Sequence, residues 1–505
     1  SRTGGIPMTN RSARLALALA AMTFSGTLGC AVGPDAPTGN VGFPESYSEI
    51  DPKSPTTGLL EKEPSPDFSF WKDLGDPLLS ELVERALSQS PDVAHATAKL
   101  RESGAIAGAA WAALLPELRG SAGYARERLS SESPLLSEFH ASQIPGFVPD
   151  FNDFKASLQV AYELDIWGKN RRARQSALFE LEGDFERRRS VGLTLAGEVT
   201  LAYVDHRTME SRRSISSRTL EARRAALQIA RDRVAGGLGS ELEVSRAEVE
   251  GASAEAALAD LDRQIALSEH RLSVLVGTAP GALRERLRAP HEALSPFAVP
   301  VGLPAQLLVR RPDLRELSAR LWAATARIGQ AKADLYPQLV LQGEVGVESI
   351  EPSTLVRRAA GYWTAGPTLQ IPLFDWGRRQ ANWTAAEERA DQALHDLEKQ
   401  VLVSLQEVED AISSVRDDAR RRRALARAAA AGRRSADLAA DKYKGGLVTQ
   451  LDVIDAQRTQ FQAEDALAEA DGQAVRNAVR LAKAVGGGIQ ASEKLMPSPE
   501  PPDQD

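Results

Sequence analysis

The chain repeats itself at long range, and that repetition limits the folds open to it more than any single motif does. Ile166-Trp167-Gly168-Lys169 returns as Asp375-Trp376-Gly377-Arg378, 209 positions later. Gly236-Gly237-Leu238, with Leu242 and Val244, returns at the same offset as Gly445-Gly446-Leu447, with Leu451 and Val453. Arg271-Leu272 and Val276-Gly277 recur as Arg480-Leu481 and Val485-Gly486 without a gap. Upstream the offset is 221: Pro91-Asp92 matches Pro312-Asp313, and Pro116 matches Pro337. The first copy therefore carries 12 extra residues between Pro116 and Trp167. Two copies describe the duplication of one large unit, not a solenoid of short repeats.

Proline placement says what the unit is made of. None of the 28 prolines falls from Asp150 to Ala279 or from Leu373 to Met496. Such tracts, rich in Ala, Leu, Glu, Arg and Gln, favour helix, because proline costs about 3 kcal/mol inside one. Leu394, Val401, Val408 and Val415 are spaced by seven, flanked by Leu397, Leu405 and Ile412. Leu258, Leu261, Ile265, Leu272 and Leu275 follow a similar rule in the first tract. A seven-residue repeat implies supercoiled, side-by-side helices. From Lys169 to Ala235 an unbroken helix would run roughly 100 Å at about 1.5 Å per residue. That length exceeds a compact domain and suits a structure that crosses a wide gap.

Each copy also holds two segments of another period. Phe154, Ala156, Leu158, Val160, Tyr162, Leu164 and Ile166 alternate with mostly polar neighbours. In the second copy Leu339, Leu341, Val345 and Val347 alternate with Gln342, Glu344 and Glu348, and Trp363, Ala365, Leu369, Ile371 and Leu373 continue the habit. The first strand, near Leu118 to Leu129, has the weakest pattern. Period two over ten or more residues is the mark of a strand with one apolar face, at a length that fits a membrane barrel. Four strands cannot close such a barrel, since the smallest need about eight. An open edge in lipid would leave backbone groups unpaired, so membrane strands in this number require several chains to share one barrel.

Arg11 and Arg14 precede the apolar run Leu15 to Phe24 and the small-residue stretch Ser25-Gly26-Thr27-Leu28-Gly29-Cys30, the layout of an export signal. Cys30, the only cysteine, stands where a bacterial lipoprotein signal puts the acylated residue, and Ala31 after it suits outer-membrane sorting. No other stretch is long and apolar enough for a membrane helix, which needs about 20 residues. With 61 basic and 69 acidic residues the net charge is −8, which is no footprint of a nucleic-acid binder. The Arg420-to-Arg423 run follows Asp417-Asp418 and reads as a solvated or neighbour-paired helix face. Hydrophobic residues at 43% allow a sizeable core. A lone cysteine excludes a disulfide framework. The six histidines are scattered, Gly168-Lys169 lacks Walker spacing, and no zinc-protease helix or nucleophile elbow is present, so no enzyme site is expected.

Several longer motifs then resemble one family: Cys30-Ala31-Val32-Gly33-Pro34, Phe70-Trp71-Lys72-Asp73-Leu74-Gly75-Asp76-Pro77, Arg310-Arg311-Pro312-Asp313-Leu314, Ala323 to Gly329 continuing to Tyr336-Pro337, and Leu451-Asp452-Val453-Ile454-Asp455-Ala456-Gln457. In order and spacing they are similar to the outer-membrane efflux protein (TolC-like) family, and within it to the lipoprotein branch serving resistance-nodulation-division pumps. The resemblance implies a mainly α protein with a membrane β-barrel: a homotrimer whose twelve-stranded barrel, four strands per chain, sits on a long periplasmic helical barrel with an equatorial domain. It lays the chain out as a signal peptide at 1–29, an anchor and equatorial segment at 30–77, and a first copy at 78–290. That copy would hold helices over 78–115, strands about 117–129 and 154–166, and long helices over 168–235 and 239–276. The second copy, 291–485, would hold a helix over 304–335, strands about 338–349 and 362–374, and long helices over 377–444 and 448–485. A disordered tail would follow at 486–505.

Functionally the resemblance implies a passive exit duct in the outer membrane of a Gram-negative bacterium, carrying drugs or other small molecules. An inner-membrane resistance-nodulation-division transporter would drive it through a periplasmic adaptor, without catalysis, metal or cofactor beyond a covalent lipid on Cys30. A duct for an ABC-driven protein exporter and a soluble periplasmic coiled-coil scaffold are the alternatives. The adaptor would meet the turns Gly236-Gly237-Leu238 and Gly445-Gly446-Leu447. Asp452 and Asp455 match acidic rings at the periplasmic entrance, Glu243 an acidic gate position, and Tyr443 a tyrosine of the closed-state latch. Val448 stands where some members place the arginine beside that tyrosine, so the closed tip would be held otherwise. Thr449-x-x-Asp452 and Ser240-x-x-Glu243 also read as helix capping boxes.

Overall fold

The computed structural model describes residues 31–35, 42–49, 69–128, 150–237, 239–445 and 447–487. Cys30, Leu238, Gly446, the signal segment and the tail beyond Gly487 lie outside the described residues. The chain divides into two compact units that cut across the sequence copies, each taking parts of both.

The duplication reappears element by element. Helix α1 (Pro77–Gln89) is capped by Asp76, whose carboxylate accepts from the N–H groups of Leu78 (2.9 Å) and Leu79 (3.3 Å), with Pro77 in the first helical position. Helix α2 (Pro91–Ala112) matches α5 (Pro312–Ala333) at the 221 offset, 22 residues each. Helices α3 (Lys169–Ala235) and α6 (Arg378–Lys444) are each 67 residues long, and α4 (Glu241–Leu275) and α7 (Gln450–Ala484) each 35, all at the 209 offset. Gly168, in a left-handed conformation (φ 78°), turns the chain into α3. There Asp165 accepts from the N–H groups of Asn170 (3.1 Å) and Arg171 (2.8 Å). Of the seven-spaced residues Val401 and Val408 are buried, with the flanking Leu397 and Ile412, while Leu394 and Val415 are half-buried. Each buried side chain among them contributes about 1.5–3 kcal/mol.

One unit holds, beside helix ends, one antiparallel meander, β1 (Glu117–Arg128), β2 (Asp150–Leu164), β3 (Gln338–Ser349) and β4 (Gly361–Gln370). Glu117 faces Ala161 in the first hairpin and Gln338 faces Gln370 in the second. Those partners differ by the two sequence offsets, so both hairpins share one register. Because Arg126↔Asn152 corresponds to Val347↔Gly361, the 12 extra residues of the first copy all fall between 127 and 151.

Some boundaries differ from the sequence expectation. The helices expected over 78–115 end at Ala112 and divide at Ser90, which is extended (ψ 133°) before Pro91. The helix expected over 304–335 starts at Pro312; a 3-10 turn (Pro304–Gln306) and one helical turn (Leu307–Arg310) precede it, and Arg311 is extended as a residue before proline must be. The strand expected over 154–166 begins at Asp150 and ends at Leu164. The strand expected over 362–374 stops at Gln370, leaving Ile371 and Leu373 outside it. The long helices start one or two residues later than 168, 239, 377 and 448, because Gly168, Ser240, Gly377 and Thr449 serve as turn or cap.

In the helical unit a buried polar hub ties the cap of α1, α3 and α4 to the short helical turn Arg284–Leu287. Arg207, on α3, donates to Glu210 (2.7 Å), the Leu287 carbonyl (2.7 Å) and the Tyr203 hydroxyl (2.7 Å). The Tyr203 hydroxyl in turn donates to Asp76 (2.5 Å). His206 meets Ser268 of α4 at 2.8 Å.

Candidate functional site

The residues singled out from sequence gather at the two turns that join the long helices. At the first, Gly236 donates to the Asp232 carbonyl (3.0 Å) and Gly237 to Val234 (2.9 Å), with Gly237 left-handed at φ 73°. A side chain on Gly239 would press to 3.1 Å on the Arg233 β-carbon, so this turn needs two glycines for two reasons. At the second, Gly445 donates to Asp441 (3.2 Å) and Leu447 to Lys442 (2.9 Å), closing α6 with a C-terminal wrap. Leu447 remains 77% exposed, an apolar side chain at the tip of a hairpin.

Asp452 is half of a true capping box. Its carboxylate accepts from the Thr449 N–H (2.7 Å) and hydroxyl (2.6 Å), while its own N–H points back to the Thr449 hydroxyl (3.4 Å). The Thr449 hydroxyl, with the backbone N–H, holds this carboxyl below the usual carboxylate range. Asp455, one turn on, is bound by Arg458 of its own helix at 2.5 Å. The two acids therefore differ: Asp452 is ionised without a cation, and Asp455 shares its charge with one. In the first copy Ser240 caps α4 through the Glu243 N–H (3.4 Å), and Glu243 Oε2 is buried without a hydrogen-bond partner.

The Tyr443 hydroxyl is likewise buried without a hydrogen-bond partner, and the ring carries the contact: the Arg233 guanidinium lies over it, 5.4 Å from the centroid. That is cation–π range. Arg233, three residues before Gly236, was not marked by sequence. A basic residue in the last turn of a helix is sufficiently explained by the helix dipole, and nothing in the spacing points from it to Tyr443.

Above the turns α3 and α7 face each other through arginines. Arg476 reaches Asp205 (3.0 Å) and Glu469 (2.5 Å), and Arg212 reaches Asp465 (2.8 Å) and Glu469 (3.2 Å). Glu464, buried on α7, holds Arg218 (3.3 Å) and Arg433 of α6 (2.8 Å). Nearer the turns Arg223 finds only the Ile454 carbonyl of α7 (3.4 Å), with Glu250 of α4 at 3.4 Å. Burial, with Arg458 nearby, lowers the Arg223 pKa. Among the described residues no cluster of three or more His, Cys, Asp or Glu could hold a metal, and no helix is long and apolar enough to cross a membrane.

Comparison with known proteins agrees with this layout. The family model described as outer membrane efflux protein matches residues 82–278 and 303–487, falling on the two copies. The chain is 30% identical to the pyoverdine export outer membrane protein OpmQ of Pseudomonas aeruginosa, over 84% of this chain and 88% of that one. It is also 30% identical to the toluene efflux pump outer membrane protein TtgI of Pseudomonas putida, over 84% and 87%. Among solved structures it is similar to the outer-membrane channel OprN, at TM-score 0.80 and 31% identity, covering 91% of this chain and 99% of that one. The Campylobacter jejuni CmeC outer membrane channel has the same fold at TM-score 0.82 and 21% identity, over 92% and 96%. The two-copy helical hairpins, the four-stranded sheet and these matches converge: the chain belongs to the outer membrane efflux protein family and is an outer-membrane efflux channel protein.

Proposed function

We propose that three copies of this chain form one passive exit duct for small molecules, driven by an inner-membrane resistance-nodulation-division transporter through a periplasmic adaptor. The observation that carries this reading is a four-stranded sheet whose two outer strands pair on one side only among the described residues, built on the same chain as duplicated 67-residue helices. Four strands cannot close a barrel that needs about eight or more, and three chains supply twelve. Cys30 would carry the lipid that anchors the chain in the outer membrane. No catalytic step belongs to the reading. OpmQ and TtgI, by their names, serve pyoverdine export and toluene efflux, which supports a small-molecule cargo.

Purified protein in planar bilayers tests the duct. Stable trimers with a measurable conductance are expected; monomers without a pore would overturn it. At the entrance, six carboxylates from Asp452 and Asp455 would line a narrow bore and attract cations. Because Arg458 neutralises Asp455 within the chain, Asp452→Ala should relieve block by a trivalent cation more than Asp455→Ala does. Equal relief would return Asp452 to a capping role alone. Glu243 and Tyr443 belong to the same gate. The exposed Leu447, with Leu238, Gly236, Gly237, Gly445 and Gly446, would form the adaptor contact. Leu447→Glu should weaken cross-linking to the adaptor while trimers persist, and undiminished cross-linking would remove Leu447 from that surface.

A further inference from the structure

The polar face of the sheet carries a side-chain cluster that neither the entrance acids nor the turns account for. Resting on the duct reading above, we infer that Lys155, Glu344 and Tyr362 form a charge-balanced collar inside the barrel. Small organic ions of either sign meet it in passing, and the balance keeps that level of the bore from selecting by charge.

Alternation assigns the face. Ala156 pairs with Val347 and Leu158 with Val345, which in turn pairs with Trp363, all on one side of the sheet. That apolar side is the one a membrane barrel turns to lipid. Lys155, Ser157 and Gln159 stand on the other side. There Gln159 pairs with Glu344 and Ser157 with Gly346, and across the next seam Glu344 pairs with Thr364 and Gly346 with Tyr362. A barrel turns this side to its bore, where substitutions tune selectivity.

On the bore side one carboxylate gathers three strands. Glu344 Oε1 of β3 accepts from the Tyr362 hydroxyl of β4 (2.6 Å) and from the Gln159 amide of β2 (3.3 Å). The Lys155 ammonium of β2 lies 3.2 Å from the same oxygen. Ser157 meets Ser121 of β1 at 3.0 Å, so polar ties continue to the fourth strand. Lys155 also lies over the Tyr362 ring, 4.9 Å from its centroid and within cation–π range.

The cluster is not what strand register alone would produce. Directly opposite Lys155 stands Glu348, yet the ammonium goes to Glu344, two same-face places along β3. Gly346 is the place between. A β-carbon there would stand 2.9 Å from Tyr362 Cε1 and 2.6 Å from the Ala156 carbonyl oxygen. Its absence lets the phenol ring lie beside the carboxylate and lets Lys155 cross to both.

Duplication gives a second comparison. At the offsets of 209 and 221, Lys155, Tyr362 and Glu344 correspond to Thr364, Asp153 and Gly123. That set holds no cation and no ring, so folding of the sheet does not by itself call for the collar. The pair is also too wet to matter much for stability: the Lys155 side chain is 39% exposed and that of Glu344 21%. Its worth lies in the field it removes. Three unbalanced like charges around a bore make a selectivity ring, and pairing Lys155 with Glu344 in each chain cancels both such rings.

Potassium–chloride permeability ratios in planar bilayers test the collar. Glu344→Gln leaves three lysines unbalanced and should move the ratio toward chloride. Lys155→Met keeps the apolar stem, leaves three carboxylates unbalanced, and should move it toward potassium, each by about twofold or more. The double variant should return to the ratio of the unaltered channel. Tyr362→Phe removes a hydrogen bond and no charge, and should leave the ratio where it was. If neither single charge variant moves the ratio, or both move it the same way, the collar is overturned. A shift from Tyr362→Phe as large as that from Glu344→Gln would overturn it too, since shape and not charge would then be at work. If Glu344→Gln does not assemble, Lys155→Cys decides, with the unaltered protein as blank. A cationic methanethiosulfonate reagent should restore the ratio and an anionic one should push it further toward potassium; no response to either would overturn the collar. An unaltered protein without any pore would instead overturn the duct reading, and the collar with it.

Discussion

The two ends of the α3–α7 seam are held by different physics. Toward the hub the helices close on each other: between Ala470 and Ala484 most of α7 is buried, and Gly472 lies so near Thr208 that a β-carbon there would collide with it. Arg476 takes Asp205 and Glu469 there, and Arg212 takes Asp465 and Glu469 at the near edge of that stretch. Toward the turns α7 buries only Gln450 and Ile454 before Glu464, and the links across to α3 are two 3.4 Å bonds to main-chain carbonyls. The lesson concerns where such a hairpin gives way. Opening free energy is set locally by buried apolar contact and paired charge, so the turn end separates first and the hub end keeps the helices in register.

The hub should show the largest effect. Arg207→Ala leaves Glu210, the Tyr203 hydroxyl and the Leu287 carbonyl without their donor in a buried place. Removing one partner of a buried charged network costs about 3–5 kcal/mol. Chemical unfolding in detergent, followed by circular dichroism, should show the midpoint fall accordingly; a loss below about 1 kcal/mol would fit the surface-pair range and deny the hub its role.

Glu464 marks the boundary between the two regimes, and its effect should be smaller. Burial pushes its pKa up, but hydrogen bonds from Gln460 and Arg433, with the charges of Arg433 and Arg218, outweigh that and hold it below the ordinary 4.5. A lowered carboxyl pKa gives stability that is fully present above the unfolded value and is lost as pH falls through the folded one. The seam should therefore be indifferent to acidification from pH 7 to 5 and loosen only below about pH 4.5. Glu464→Gln should cost about 1–3 kcal/mol at neutral pH and flatten that acid response. Unfolding midpoints measured across pH check both halves, and an unchanged acid limb in the variant would place the titration elsewhere.

Much of this was legible before any coordinates. Proline exclusion located the long helices because one proline in a helix interior is prohibitively costly, and the equal offsets of the glycine turns carried through to equal helix lengths. Strand β1 was the faintest in sequence, since both its faces are exposed in the chain and no apolar side is needed there; its pairing with β2 defines it. The end of β4 was misread for the opposite reason. The alternation of Ile371 and Leu373 is real, but β3 begins at Gln338 and pairs with β4 only as far as Gln370. Arg233 left no trace, because its partner ring is two hundred residues away and the helix dipole already accounts for a cation there. Asp452 and Asp455 look alike in sequence; only Thr449 on one and Arg458 on the other separate them.

The smallest expected effect tests the turn end most sharply. If the tip is held through the Tyr443 hydroxyl, Tyr443→Phe should open it. With that hydroxyl lacking a hydrogen-bond partner and Arg233 over the ring, Tyr443→Phe should instead leave gating unchanged, because the aromatic face is kept. Arg233→Ala and Tyr443→Leu each remove the contact, worth about 0.5–1 kcal/mol at a partly exposed site. That corresponds to a roughly two- to fivefold rise in open probability per chain, since about 1.4 kcal/mol is tenfold. Single-channel recordings of the two variants and their combination form a double-mutant cycle. The combined variant should gain nothing over either alone. Fully additive gains would mean that the two side chains restrain the tip independently, and that closure there rests on the carbonyl bonds of Arg223 and Gln450, making them the next positions to remove.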